Sequence, residues 1–173
     1  MSVAFRRDSD EEHKEPRFEI PLPRGPNLVT ERGLAQIRER IRQLEEDIAA
    51  RTGEGADEEA CRQLRYWKTR QATAQIAPEP ACDQAAFGTR VTFRLNGTER
   101  TIGIVGDDEA DPAAGLLSFS APLARALLGG AVGDQLPFAG RDDAIDILEI
   151  GLIGDVDSQG ARGGRSNKGG RSA

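Results

Sequence analysis

Two acidic side chains, Glu54 and Asp57, lie three residues apart in a short glycine-rich segment, 52–57, TGEGAD. Carboxylates are hard oxygen ligands that suit Mg²⁺, and a pair at the end of a thin projection can add ligands to a metal that another protein also holds. Glu58 and Glu59 follow directly. Acidic residues in such a position also cap and solubilise the start of a helix, so both interpretations are open at this point.

Other signatures of catalysis are missing from the sequence. It contains no phosphate-binding loop of the GxxxxGK type and no Ser/His/Asp set. His13 is the only histidine, and Cys61 and Cys82 lack the spacing of metal ligands. The sequence therefore predicts a protein that is not an enzyme and has no cofactor of its own. Its acids would act only at a foreign site.

The distribution of charge indicates the kind of partner. Of the 173 residues, 38% are hydrophobic and 30% charged, with a net charge of −6. Residues 78–154 hold five basic and twelve acidic side chains, and a surface that acidic repels phosphates. Direct nucleic-acid binding is expected to be weak, and a protein with a basic patch fits better. No apolar stretch is long enough to span a bilayer and the N-terminus has no apolar signal region, so we expect a cytoplasmic protein.

Two helices are predicted to position the acidic pair. Thr30 suits a helix N-cap. Apolar residues then recur at spacings of three and four, and the pattern resumes after the glycines: Leu34, Ile37, Ile41, Leu44 and Ile48, then Ala60, Leu64, Trp67, Gln71 and Ala74. This predicts an antiparallel helical hairpin over 28–77, which we call the arm, with helices of about 20 residues and about 30 Å. Trp67 is expected in the seam between them.

The second half of the chain changes to a period of two. Val91, Phe93 and Leu95 alternate with polar residues, Asn96-Gly97 is a strong hairpin turn, and a strand returns over 100–105. An acidic loop is predicted over 106–112. Further strands are predicted over 116–120, 135–138 and 144–150, with one short helix over 122–128. The fold class is therefore α+β: a helical hairpin followed by a small β-rich domain, 87–154.

The remaining segments are predicted to lack a fold of their own. The proline-rich leader, 1–27, mixes charges of both signs, and 155–173 is rich in Gly, Ser and Arg. Both are expected to be disordered. Pro78 and Pro80 end the arm, so 78–86 is predicted to be a linker.

Several segments carry a resemblance to a known family. Residues 26–34, PNLVTERGL, resemble the start of the arm in the Gre transcript-cleavage factors. The series IVGDDEADP at 104–112, SFSAPLARALL at 118–128 and VGD at 132–134 resembles the C-terminal domain of the same family. The resemblance covers about residues 26–152 and leaves out most of the leader and the tail.

The resemblance implies a fold and a partner. In this family an FKBP-like C-terminal domain docks at the rim of the secondary channel of bacterial RNA polymerase, and the coiled-coil arm enters the channel. Two acids at the tip help to hold the second Mg²⁺ used for cutting backtracked RNA. They correspond to Glu54 and Asp57, with Glu and Asp exchanged, and the polymerase-docking stretch corresponds to Ser120 and Pro122 with Ala121 in place of Ser.

One departure leaves the activity open. Each arm helix is about nine residues shorter than in typical members, which by helix rise removes about 13 Å of reach. The chain could stimulate cleavage through Glu54 and Asp57, or occupy the channel as a competitor without cleavage. A remote alternative, peptidyl-prolyl isomerase, is suggested by the FKBP-like fold alone and needs an aromatic-lined pocket.

Overall fold

A computed structural model describes residues 19–50 and 58–154 of the chain. The proposed metal ligands Glu54 and Asp57 lie outside the described residues, as do most of the leader and the whole tail. Within 19–27 the backbone forms neither helix nor strand.

The arm consists of two helices, α1 (Glu31–Ala50) and α2 (Glu58–Thr73). Thr30 caps α1 as predicted, since its Oγ1 accepts a hydrogen bond of 2.9 Å from the Gly33 amide. The seam predicted on α1 is buried over Leu34, Ile37, Ile41 and Leu44. Leu64 and Trp67 of α2 pack against it, so the predicted place of Trp67 is confirmed.

The seam predicted on α2 is wrong at one position. Gln71 is exposed, and its neighbour Arg70 is the one buried residue of that helix. The 3,4 spacing cannot foresee this, because Arg70 is buried against an acid of the second half of the chain. The pattern places apolar side chains on a face, but it does not report a distant ion pair.

Two very short strands, which the sequence pattern does not predict, close the base of the arm. β1 (Leu28–Val29) runs parallel to β2 (Gln75–Ile76). The side chain of Asn27 adds two hydrogen bonds from Nδ2, of 2.7 Å to the Arg70 carbonyl and 3.0 Å to Thr73 Oγ1. The residues before α1 are thereby tied to the end of α2.

The second half is a five-stranded mixed sheet with order β5-β4-β3-β7-β6. Its strands are β3 (Thr89–Leu95), β4 (Thr98–Val105), β5 (Leu116–Ser118), β6 (Gln135–Phe138) and β7 (Arg141–Leu152). β3 and β4 form the hairpin predicted at Asn96-Gly97, whereas β5 pairs parallel to β4. Each predicted strand is present, and the ends differ by a few residues.

One face of the sheet is covered by the predicted short helix, α3 (Pro122–Leu127). The core between them is built on the alternating residues of β3 and β7, with Phe93 and Ile145 fully buried. Ala85 also belongs to this core at 2% exposure. Its amide donates to Gly130 O over 2.7 Å, so the segment predicted as a linker is packed at this point.

The predicted fold class is confirmed: a helical hairpin precedes a small β-rich domain. The predicted acidic loop is more regular than expected, because it contains two 3₁₀ turns, Asp107–Glu109 and Pro112–Ala114. No helix within the described residues is long and apolar enough to cross a membrane.

Candidate functional site

The segment 118–122, which we call the docking turn, brings the predicted partner-binding residues together. Ser120 and Pro122 are both exposed, and Pro122 is the first residue of α3. The turn closes on itself, since Ser118 O accepts from the Ala121 amide at 2.9 Å and Ser118 Oγ accepts from the Ser120 amide at 3.0 Å. Two exposed side chains are thus presented on a rigid turn.

Asp107 binds two serine side chains of the docking turn. Its Oδ1 accepts from Ser118 Oγ at 2.5 Å and from Ser120 Oγ at 2.9 Å. The two hydroxyls lie 2.7 Å apart. Hydrogen bonds to an ionised acceptor are stronger than those between neutral groups, so Asp107 fixes the direction of the Ser120 side chain.

Ala121 occupies the N-cap position of α3 and makes no side-chain cap. A serine there could accept a hydrogen bond from a free amide of the first turn, which Ala cannot do. The departure from the family pattern therefore has a local structural cost. The backbone path into Pro122 is kept.

The next acid along the chain, Asp108, contacts α2 instead. Its Oδ2 pairs with Arg70 Nε, and its Oδ1 accepts from Tyr66 Oη at 2.6 Å. The side chains of Arg70 and Asp108 are 4% and 8% exposed. Both charges are removed from water here. Loss of either side chain would therefore leave the other charge buried without a partner of opposite sign.

Burial, together with the hydrogen bond to Asp108, raises the pKa of the Tyr66 phenol above its usual 10.0. Ionised Tyr66 would place a second negative charge against Asp108. The neutral phenol is therefore the form that the contact requires.

Glu109, the third acid in succession, contacts α1. Its side chain is 2% exposed, Oε2 accepts from Thr30 Oγ1 at 2.6 Å, and Oε1 forms an ion pair with Arg32 Nε at 3.0 Å. The carboxylate lies at the N-terminus of α1, where the helix dipole favours a negative charge. A Cβ on Gly33 would lie 2.8 Å from Oε2, so glycine leaves room for this approach.

The backbone is in close contact at the same place. A Cβ on Gly106 would lie 2.5 Å from the carbonyl oxygen of Leu28. That distance is shorter than a carbon and an oxygen can approach, and a main-chain carbonyl cannot rotate away as a side chain can. The arm and the β-rich domain thus meet along the turn Asp107–Glu109, and we call this contact the joint.

A groove of about 610 Å³ lies beside the joint, between the base of the arm and the β-rich domain. Its lining includes Ile76, Pro80 and Leu152, and its one aromatic side chain is Phe87. This is not the aromatic-lined pocket that a peptidyl-prolyl isomerase would need. Within the described ranges, no three His, Cys, Asp or Glu side chains are grouped so as to hold a metal ion.

The assignment of Ser120 and Pro122 as partner-binding residues stays a prediction, and the sequence did not predict the joint. The local pattern predicts only an acidic loop for Asp107, Asp108 and Glu109, since nothing in it assigns a partner to each acid. Two glycines could have indicated the joint. Gly33 lies in the first turn of α1 and Gly106 directly follows β4, and at both positions a residue with a side chain would be usual. The tip acids Glu54 and Asp57 stay predictions, because they lie outside the described part of the chain.

Comparisons with known proteins show sequence similarity to one family. Residues 79–151 match the family model "Transcription elongation factor, GreA/GreB, C-term". The chain is 35% identical over 124 residues to transcription elongation factor GreA of Vibrio parahaemolyticus, covering 67% of this chain and 79% of that protein. It is 31% identical over 154 residues to GreA of Pseudomonas aeruginosa, covering 87% and 95% respectively.

Among solved structures, the chain is similar to a GreA/GreB elongation factor from Nitrosomonas europaea. That match has 19% identity and a TM-score of 0.35, and covers 73% of this chain and 98% of the other.

Proposed function

Because the chain belongs to the GreA/GreB family of transcription elongation factors, we propose that it binds bacterial RNA polymerase at the secondary channel, with the docking turn on the rim and the arm inside. The observation that supports this most is the docking turn, where Ser120 and Pro122 are exposed and Asp107 accepts a hydrogen bond from Ser120 Oγ. An exposed polar turn that is already ordered loses little entropy on binding. The protein would work in the cytoplasm, where the polymerase is.

The net acidic β-rich domain is consistent with a protein partner. Residues 78–154, which include this domain, hold five basic and twelve acidic side chains, and this excess of acid favours contact with a basic protein surface over contact with phosphates. In this proposal the protein is not itself an enzyme. It changes how the polymerase acts on backtracked RNA.

We assign the tip acids Glu54 and Asp57 as additional carboxylate ligands for a Mg²⁺ that the polymerase holds. That ion would activate the water that cuts backtracked RNA. This part of the proposal depends on reach, because coordination tolerates errors of only about 0.2 Å.

A competitor that occupies the channel without cleavage is the second candidate, and arm length favours it. The described helices have 20 and 16 residues, which correspond to about 30 Å and 24 Å of helix. A short arm on a normally docked domain would leave its acids away from the metal.

Two measurements with the full chain test the proposal. The first is retention of the protein by immobilised polymerase core at micromolar concentration. Ser120→Ala combined with Pro122→Ala should weaken retention, whereas Pro112→Ala, an exposed proline that begins another short turn, should not. A wild-type protein that is not retained contradicts the proposal.

The second is transcript cleavage by a backtracked complex. If the tip acids act, Glu54→Gln with Asp57→Asn should abolish stimulation while retention stays normal. Glu31→Gln, an exposed acid at the other end of the arm, is the matched control. Retention of the wild type without any stimulation would identify the competitor.

A further inference from the structure

One short turn connects three parts of the molecule. The consecutive acids of the turn Asp107–Glu109 point to three different partners: Asp107 to the docking turn, Asp108 to α2 and Glu109 to α1. These contacts span up to 79 positions of sequence. No other described segment makes side-chain hydrogen bonds to both arm helices and to the docking turn.

We propose that this turn is a positioning element, which sets the direction of the arm relative to the docking turn through one carboxylate for each arm helix. The inference rests on the proposed function, because direction matters only if the domain docks and the arm enters a channel. The residues assigned here are positioning residues, since none of them is placed at the reacting atoms.

Two anchors, one on each helix, are what fixing a direction requires. A single contact at the base of a rod leaves it free to pivot about that point. Asp108 holds α2 at Arg70, near its C-terminal end, and Glu109 holds α1 at Thr30 and Arg32, at its N-terminal end. Because α1 and α2 are antiparallel, both anchors lie at the base of the arm, on its two sides.

Close backbone packing limits the remaining motion. Gly106, next to the turn, leaves no space for a Cβ against Leu28 O, and Leu28 belongs to the short sheet that joins both ends of the arm. Sliding or tilting of the arm toward the β-rich domain therefore meets main-chain atoms. The acids and the backbone restrain different movements.

The consequence is mechanical. An arm of about 30 Å that pivots by 10° at its base moves its tip by about 5 Å, which is far more than metal coordination tolerates. A loose joint should therefore abolish any effect exerted at the tip while leaving the docking turn able to bind.

The direction of the arm can be measured in the free protein, independently of polymerase. Spin labels are attached at Ala49→Cys on α1 and Thr98→Cys on β4. Pulsed electron paramagnetic resonance then measures the distance between the arm and the sheet. Cys61→Ala and Cys82→Asn remove the native thiols, and asparagine suits the positive φ of 60° at residue 82.

The wild type should give one narrow distance distribution. Asp108→Asn with Glu109→Gln should make it at least about twice as broad, because both anchors are lost. Asp111→Asn is the matched control, since the side chain of this nearby acid accepts hydrogen bonds only from the amides of Ala113 and Ala114 among the described residues. Arg32→Gln, at the exposed partner of Glu109, should also broaden the distribution while Arg70 and Asp108 stay paired.

A distribution in the double variant as narrow as that of the wild type would overturn the inference. Equal broadening in Asp111→Asn would also overturn it, because loss of any acid would then suffice. In the polymerase assays, the double variant should keep retention and lose about tenfold or more of any effect exerted by the tip. A wild type that is not retained would defeat the proposed function, while the distance result would still stand.

Discussion

The guanidinium of Arg70 on α2 is paired with the carboxylate of Asp108, 38 positions further along the chain, and both side chains are almost fully buried. This pair crosses from the arm to the β-rich domain. It is therefore one of the contacts through which the stability of one half depends on the other.

Removing one member of this pair should be costly. Arg70→Ala leaves the buried Asp108 charge uncompensated, and we expect a loss of about 3–5 kcal/mol in the free energy of unfolding. Urea unfolding followed by the fluorescence of Trp67, the one tryptophan of the chain, measures it.

Arg70→Met combined with Asp108→Leu is the control, because it removes both charges and keeps most of the volume. It should recover most of the loss. Single and double variants of equal stability would show that the pair carries no coupling.

The titration of Tyr66 should report on the same contact. It is the only tyrosine of the chain, so the near-ultraviolet absorbance of phenolate follows this residue alone. In the folded protein it should titrate above its usual pKa of 10.0, and in urea near that value. Asp108→Asn should lower the folded pKa, because both the hydrogen bond and the negative charge are weakened.

The raised pKa of Tyr66 also makes the stability of the fold depend on pH. A raised pKa means that the fold binds the phenolic proton more tightly than the unfolded chain does. The stabilisation is therefore fully present below pH 10.0 and is lost as the pH rises above it toward the folded pKa. Tyr66→Phe should remove this part of the alkaline loss, and an identical pH profile in that variant would contradict the assignment.

Gly33→Ala should reverse the usual effect of alanine in a helix. Alanine is normally favoured over glycine by about 1 kcal/mol in a helix. Here its Cβ would meet the Glu109 carboxylate at 2.8 Å, and that carboxylate is held by Thr30 and Arg32. We expect Gly33→Ala to lower the thermal stability of the otherwise wild-type protein. In the Glu109→Ala background, the same substitution should raise the thermal stability. Stabilisation in both backgrounds would show that the carboxylate moves aside easily.

Ala121→Ser should stabilise α3 by about 1 kcal/mol, since serine supplies the N-cap acceptor that alanine lacks. The midpoint of thermal unfolding measures this. Ala121→Val adds bulk without an acceptor and should give no gain. If serine and valine behaved alike, capping would not be the limiting feature of this turn.

Local patterning was enough to predict most of the elements. The 3,4 spacing of α1 reports burial directly, because apolar side chains on one face of a helix have no stable alternative to packing. The alternation in β3, and the Asn96-Gly97 turn with positive φ at both residues, fix the hairpin for a similar reason. In both cases the physical cause acts between residues close in sequence. The resemblance of residues 26–34 and of the segments between 104 and 134 to the Gre factors also indicated the family.

Only the tertiary structure decided how the halves are joined. The local pattern leaves Arg70 out of the predicted seam of α2 and predicts only an acidic loop for Asp108 and Glu109. Their partners lie 38 and 79 positions away, and burial of a charge is determined by what surrounds it in space, which no local period encodes. The sequence by itself determined the arm, the sheet and the turn at 118–122. The direction in which the arm points follows from long-range ion pairs and from two glycines that let the backbone and the acids come close.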